Sequence, residues 1–141
     1  MTTDGKALVL RLMEAGVDAG DASVVDEVCA EDFVSHTTPD QTADRTSVTA
    51  RISMLLAAVG DTRHEPRIVL HEDDMVAVVA IQRRTHEGTF FGFEPAGHSF
   101  SLTSCNIFRI ADGKIREHWG VTDTLALFTE LGITPPPPAE G

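Results

Sequence analysis

The spacing of apolar residues changes partway along the chain and divides it into a helical and an extended half. Leu8, Val9, Leu12, Met13 and Val17 recur at helical intervals, with Asp4 placed to cap the helix and Gly20 to end it. Asp21 is placed to cap a second, shorter helix carrying Val24, Val25, Val28 and Cys29 on one face. A brief strand is expected over 33–36, and the polar stretch 37–43, with Pro39, reads as a loop. A third helix is expected over 46–59, striped by Val48, Ile52, Leu55, Leu56 and Val59 and stopped by Gly60. From there the pattern turns to strands: 66–71, 75–86, 99–110 and 114–121, with 88–93 continuing the second after a kink. Glu72, Asp73 and Asp74 form the first turn. A turn or two of helix over 124–131 and a frayed polyproline run at 135–138 close the chain.

Helices gathered before strands predict an α+β fold, with helices packed on one face of an antiparallel sheet. Long strands curling over helices make a cone with an internal cavity, a natural small-molecule pocket. The chain is expected to form one domain over 1–134, with a flexible Pro-rich tail at 135–141.

The last hairpin predicts which side chains line that cavity. A three-residue loop, Ala111-Asp112-Gly113, pairs Ile110 with Lys114, Phe108 with Arg116, Asn106 with His118 and Ser104 with Gly120. Cross-strand partners share a face. Ser104, Asn106, Phe108, Arg116, His118 and Gly120 are therefore expected on the pocket side. Cys105, Ile107, Arg109, Ile115, Glu117, Trp119 and Val121 are expected on a packing or dimer surface.

Composition narrows the partners. Apolar residues make up 42% of the 141, enough for a globular core. A net charge of -11 argues against nucleic acid, whose phosphates demand basic patches. No apolar run approaches the ~18 residues of a membrane span, and the N-terminus lacks a secretory h-region. A cytoplasmic protein without a membrane partner is expected, with Cys29 and Cys105 as buried reduced thiols.

His118, on a strand beside the only tryptophan, is the first candidate for acid/base chemistry. His86, at the end of the long strand, is placed to face it across the cone. Asn106 offers an amide to a developing oxyanion. Asp123 either caps the last helix, orients His118 or acts as a catalytic carboxylate in its own right. His36 sits near the expected pocket mouth, and Phe33, Met54, Phe91, Phe108 and Gly120 complete the expected substrate lining. No metal is expected: His71, Glu72, Asp73 and Asp74 fall in a turn, where adjacent side chains diverge.

Several pieces in order resemble the SnoaL-like polyketide cyclases of the nuclear transport factor 2-like fold. They are Gly20-Asp21, the run from Asp26-Glu27 to Phe33-Val34-Ser35-His36, Thr85-His86-Glu87-Gly88, and the stretch from Phe91 to Gly97. Phe108 to Trp119, Asp123 and Leu131-Gly132 complete the set. The resemblance implies a cone-shaped α+β barrel that forms homodimers or homotetramers through its outer sheet face. It implies a small hydrophobic, polyketide-like ligand, closed into a ring by intramolecular aldol chemistry without metal or cofactor. In those cyclases an aspartate, two residues beyond the histidine matching His118, moves the proton; here that position is Gly120. A second pocket histidine of the cyclases falls at Asn106. The family also holds hydroxylase-like members, and a binding protein without catalysis is the remaining alternative. The chain has no tyrosine, so it lacks the tyrosine of a ketosteroid-isomerase oxyanion hole.

Overall fold

A computed structural model describes residues 4–59, 62–85 and 99–130. The expected strand at 88–93, His86, Phe91 and the tail lie outside the described residues.

Helix α1 (Gly5–Arg11) starts where the Asp4 carboxylate accepts from the Lys6 and Ala7 amides, and it runs on as a π-helical segment, Leu12–Asp18. Helix α2 (Ala22–Val28) is capped by Asp21. Strands β1 (Cys29–Thr38) and β2 (Gln41–Asp44) precede helix α3 (Arg45–Val59). Four long strands follow, β3 (Thr62–Glu72), β4 (Met75–Thr85), β5 (Ser99–Ala111) and β6 (Lys114–Thr122), and then helix α4 (Thr124–Glu130).

The strands form one curved six-stranded sheet in the order β2-β1-β6-β5-β4-β3. All neighbours are antiparallel except β1 and β6, which are parallel. The fold is the α+β cone expected from the order of elements. Two local expectations in the first half of the chain differ. The segment read as a loop at 37–43 contributes β2, because Pro39 and Asp40 form a tight turn that lets Gln41 pair back on Thr38. Cys29 does not end α2 but opens β1, with extended backbone.

One face of the sheet is apolar and meets the helices. Along β4 the alternation is strict: Val76, Val78 and Ala80 are fully buried between partly exposed neighbours. They pack with Val9, Leu12, Met13, Val25, Val28, Phe33, Phe108 and Ile115 in one core. A smaller cluster, Phe100, Leu102 and Leu127, seats α4.

The last hairpin departs from its expected register. Its loop has two residues, Asp112 and Gly113, both at positive φ (52° and 72°), and Ala111 pairs with Lys114. That is the primed turn favoured by the twist of a hairpin. A bulge then leaves Arg116 without a cross-strand partner, since Ile110 pairs with Ile115 and Arg109 with Glu117. His118 therefore lies opposite Phe108, and Asn106 opposite Gly120. The shift beyond the bulge is two residues, one full side-chain period, so Ser104, Asn106, Phe108, His118 and Gly120 keep their common face. Only the bulged pair changes sides. Ile115 is wholly buried in the core. Arg116 reaches outward to Asp32 and Asp112 at 2.7 and 3.2 Å.

Candidate active site

Three neighbouring strands build the site. In the parallel pair, Ser35 of β1 lies beside His118 of β6. On the other side Phe108 of β5 lies against the imidazole, ring centroids 4.9 Å apart. Asn106, one side-chain step along β5, reaches the far nitrogen. The contacts form a chain: Ser35 Oγ to His118 Nδ1 at 2.9 Å, His118 Nε2 to Asn106 Oδ1 at 2.8 Å, and Asn106 Nδ2 to Ser104 Oγ at 3.4 Å. With the Asn106 amide nitrogen turned to Ser104, its oxygen must accept, so His118 carries its proton on Nε2. Nδ1 then accepts from the Ser35 hydroxyl. Ser35 and Ser104 are each only 1% exposed, so the network is enclosed at both ends.

Burial pushes the His118 pKa down to about 4, and the charges of Arg51 and His36 add to the effect. At neutral pH the ring is an uncharged imidazole held by both nitrogens.

Gly120 explains why the network fits. A Cβ at this position would stand 2.5 Å from Asn106 Oδ1 and 2.8 Å from His118 Nε2. The space where the resembled cyclases carry an aspartate is here filled by the contact between Asn106 and His118.

The chain of hydrogen bonds borders a cavity of about 240 Å³ between α3, the π-helical segment and the inner sheet face. Its apolar walls include Met13, Phe33, Leu55 and Phe108; its polar groups include Arg51, Gln82 and Arg84 besides Ser35, Asn106 and His118. The Arg84 guanidinium donates twice to Gln82 Oε1, at 3.1 and 2.9 Å.

Of the residues expected from sequence, the structure brings His118, Asn106, Phe33 and Phe108 to this cavity, and Gly120 borders the pair Asn106 and His118. The others lie elsewhere. Asp123 is exposed, and its carboxylate accepts from the Ala126 amide at 3.0 Å as the cap of α4. Met54 lies on the outside of α3, 64% exposed. His36 points away from the cone, since it directly follows Ser35 on a strand. It stacks on Trp119 (4.8 Å) and meets Glu117 at 2.9 Å, which also accepts from Arg109 at 2.6 Å. Those two bonds, His36 first, hold the Glu117 carboxyl below its ordinary range. His36 and Trp119 line an outer groove with Cys105, Ile107 and Val121. Cys105 is thus only partly buried, unlike Cys29, whose thiol burial pushes up to about 12.

Ser35, Arg51, Gln82 and Arg84 were not among the residues expected from sequence. For Ser35 a signal was present: period-two alternation puts it on the same face as Phe33. Among the described residues no group of three His, Cys, Asp or Glu side chains is placed to hold a metal ion. No helix among them is long and apolar enough to cross a membrane.

The sequence profile of the SnoaL-like polyketide cyclases matches residues 7–131. Solved structures share the fold over nearly its whole length, among them the following three. IdmH of Streptomyces antibioticus, assigned as a polyketide cyclase, is 28% identical, with a TM-score of 0.82 over 91% of this chain and 98% of its own. AclR of Streptomyces galilaeus, assigned as a hydroxylase, is 29% identical, with a TM-score of 0.83 over 94% and 87%. A SnoaL-like protein of Jannaschia sp. CCS1, also assigned as a polyketide cyclase, is 27% identical, with a TM-score of 0.82 over 92% of both chains. No curated protein matches the chain in sequence.

Proposed function

The chain belongs to the SnoaL-like polyketide cyclase family, and on that premise we propose that it is a cofactor-independent enzyme of the cytoplasm. Its substrate is a hydrophobic polyketide-type carbonyl compound, which it isomerises or closes into a ring by general acid/base catalysis. The observation that carries this reading is the enclosed chain from Ser35 through His118 to Asn106, opening onto an apolar-walled cavity.

In this reading a proton leaves the carbon next to the substrate carbonyl and reaches the Ser35 oxygen as the serine proton passes to His118 Nδ1. Asn106 Oδ1 holds the Nε2–H throughout and stabilises the imidazolium. The proton then returns by the same route to the new oxygen or carbon, so nothing is consumed. A base with a pKa near 4 is weak. It demands an activated C–H, such as one between two carbonyls, and a stabilised enolate. Arg51 disfavours the imidazolium before reaction and favours the enolate during it, so one charge acts on both partners. Asn106, which the sequence suggested as an oxyanion donor, acts here as the partner that positions His118.

A second reading, hydroxylation on the same scaffold, is favoured by the similarity to AclR. The two separate by oxygen demand. Purified protein is mixed with polyketide methyl esters and anthracycline-type intermediates, with and without oxygen, beside His118→Ala and Ser35→Ala. Oxygen-independent conversion to an isomer, lost in both variants, supports the proposal. Conversion only in oxygen moves the protein to hydroxylation, and saturable binding without conversion makes it a carrier. The proposal extends to assembly, a homodimer or homotetramer joined through the outer groove of Ile107, Trp119 and Val121.

A further inference from the structure

We propose that the cavity takes its ligand as an anion, with a carboxylate or an equally acidic oxygen group held by Arg51 and Arg84 and an apolar ring body against Phe108 and Leu55. The inference rests on the cavity being the ligand site of the function proposed above, and it names the class of molecule that enters.

The charge inventory carries it. The whole chain has 22 Asp and Glu against 11 Lys and Arg, so an unbiased sample of its surface is acidic. The cavity reverses that bias. Among the described residues its lining includes two arginines and no carboxylate. Neither arginine has an ion-pair partner among the described residues, although Arg11, Arg45, Arg83, Arg109 and Arg116 all do. Arg84 spends Nε and one terminal nitrogen on the neutral oxygen of Gln82, which is itself 5% exposed, and its second terminal nitrogen has no partner there. Arg51 makes no hydrogen bond among the described residues.

One carboxylate, that of Asp18, acts on Arg84 through its charge without bonding to it. Its two oxygens are taken by His64, at 2.5 Å to the ring and 2.7 Å to the backbone amide. Arg84 is partly buried, and that burial pulls its pKa below the ordinary value. An arginine stays charged under such conditions. A partly desolvated cation with no carboxylate bonded to it is costly, and a carboxylate matches its planar donors two at a time. The ligand supplies what the protein leaves out. It would also offset the positive charge of Arg51 beside His118, one of the causes that keep the imidazole from accepting a proton.

The test is calorimetric titration of the intact protein at pH 7 with 2-naphthoate and with 2-naphthamide, which share a ring system and differ in charge. Naphthoate is expected to bind at least about tenfold more tightly, the scale of one good charge-assisted pair. Arg51→Gln and Arg84→Gln are each expected to remove most of that preference while leaving naphthamide affinity unchanged, and Arg84→Lys to retain part of it. Thermal melting identifies a variant that fails to fold, and Arg51, on α3 and outside the core clusters, keeps the test decisive if Arg84→Gln is lost. Equal affinity for the two probes, no binding of either, or a parallel loss of both in the variants overturns the proposal. His118→Ala is expected to keep the preference for naphthoate. A failed turnover assay with the preference intact therefore refutes the catalytic reading alone, and turnover without the preference refutes the anion site alone.

Discussion

His118 is held neutral inside the protein but is free to take a proton once the chain unfolds, and this difference is measurable as stability. Its folded pKa is about 4 against an ordinary 6.5. The sign follows. Between those two values the unfolded chain binds a proton at this residue and the folded protein does not, so acid favours unfolding. The stabilising contribution is complete above pH 6.5, declines as the pH falls, and is gone near pH 4. The gap of about 2.5 pKa units corresponds to about 3 kcal/mol, a sizeable part of the ~5–15 kcal/mol that holds a domain together. The perturbation is His118→Gln, which removes the titration and keeps a polar side chain. Urea unfolding of both proteins is measured at pH 7, 6, 5 and 4. Carboxylates titrate alike in the two and cancel in the difference. The wild-type advantage over the variant is expected to shrink by about 3 kcal/mol from pH 7 to 4, most steeply between 6 and 4.5. Arg51→Gln in the wild-type background is expected to soften the decline, because Arg51 contributes to the shift. Parallel stability profiles, or an advantage that grows in acid, would refute a neutral, desolvated His118.

Three further outcomes test the geometry. Gly120→Ala is expected to cost about 1–3 kcal/mol in urea unfolding by crowding the contact between Asn106 and His118, and Asn106→Ala in the same chain to recover much of it. Ile115→Ala is expected to cost about 2–5 kcal/mol and Arg116→Ala within about 1 kcal/mol; the reverse order would restore the three-residue hairpin loop. Val121→Glu, at a position 72% exposed beside the outer groove, is expected to leave the melting temperature of the monomer unchanged and to lower the mass seen by light scattering. An unchanged mass would move the interface elsewhere.

The fold was legible because its signals are long. Helical spacing from Leu8 to Val17 and strict alternation along Val76, Val78 and Ala80 leave little choice of element. The site was legible in proportion to locality. His118 and Asn106 share one hairpin, and their common face survived an incorrect loop length because the resulting slip equals one side-chain period. Ile115 and Arg116 did not survive it, since a bulge inverts the residues beside it. Ser35 joins His118 across a parallel pairing of strands 83 positions apart, and nothing local announces that contact. His36 went astray because a strand sends neighbours to opposite faces. Gly120 reads in sequence as a missing side chain; only the packed structure reveals that Asn106 and His118 occupy its place.

That occupancy bears on how sequences of this family can diverge. An aspartate at 120 and the bond between Asn106 and His118 claim the same few ångströms, so each is viable in the other's absence. A single substitution at 120 arrives in a background where the Asn106 or His118 side chain must shift to admit it, and a single loss of Asn106 leaves the His118 Nε2–H without its acceptor. Passage between the two arrangements requires paired changes or a weakened intermediate. Positions 106 and 120 are therefore coupled: what one can carry depends on the side chain that stands at the other.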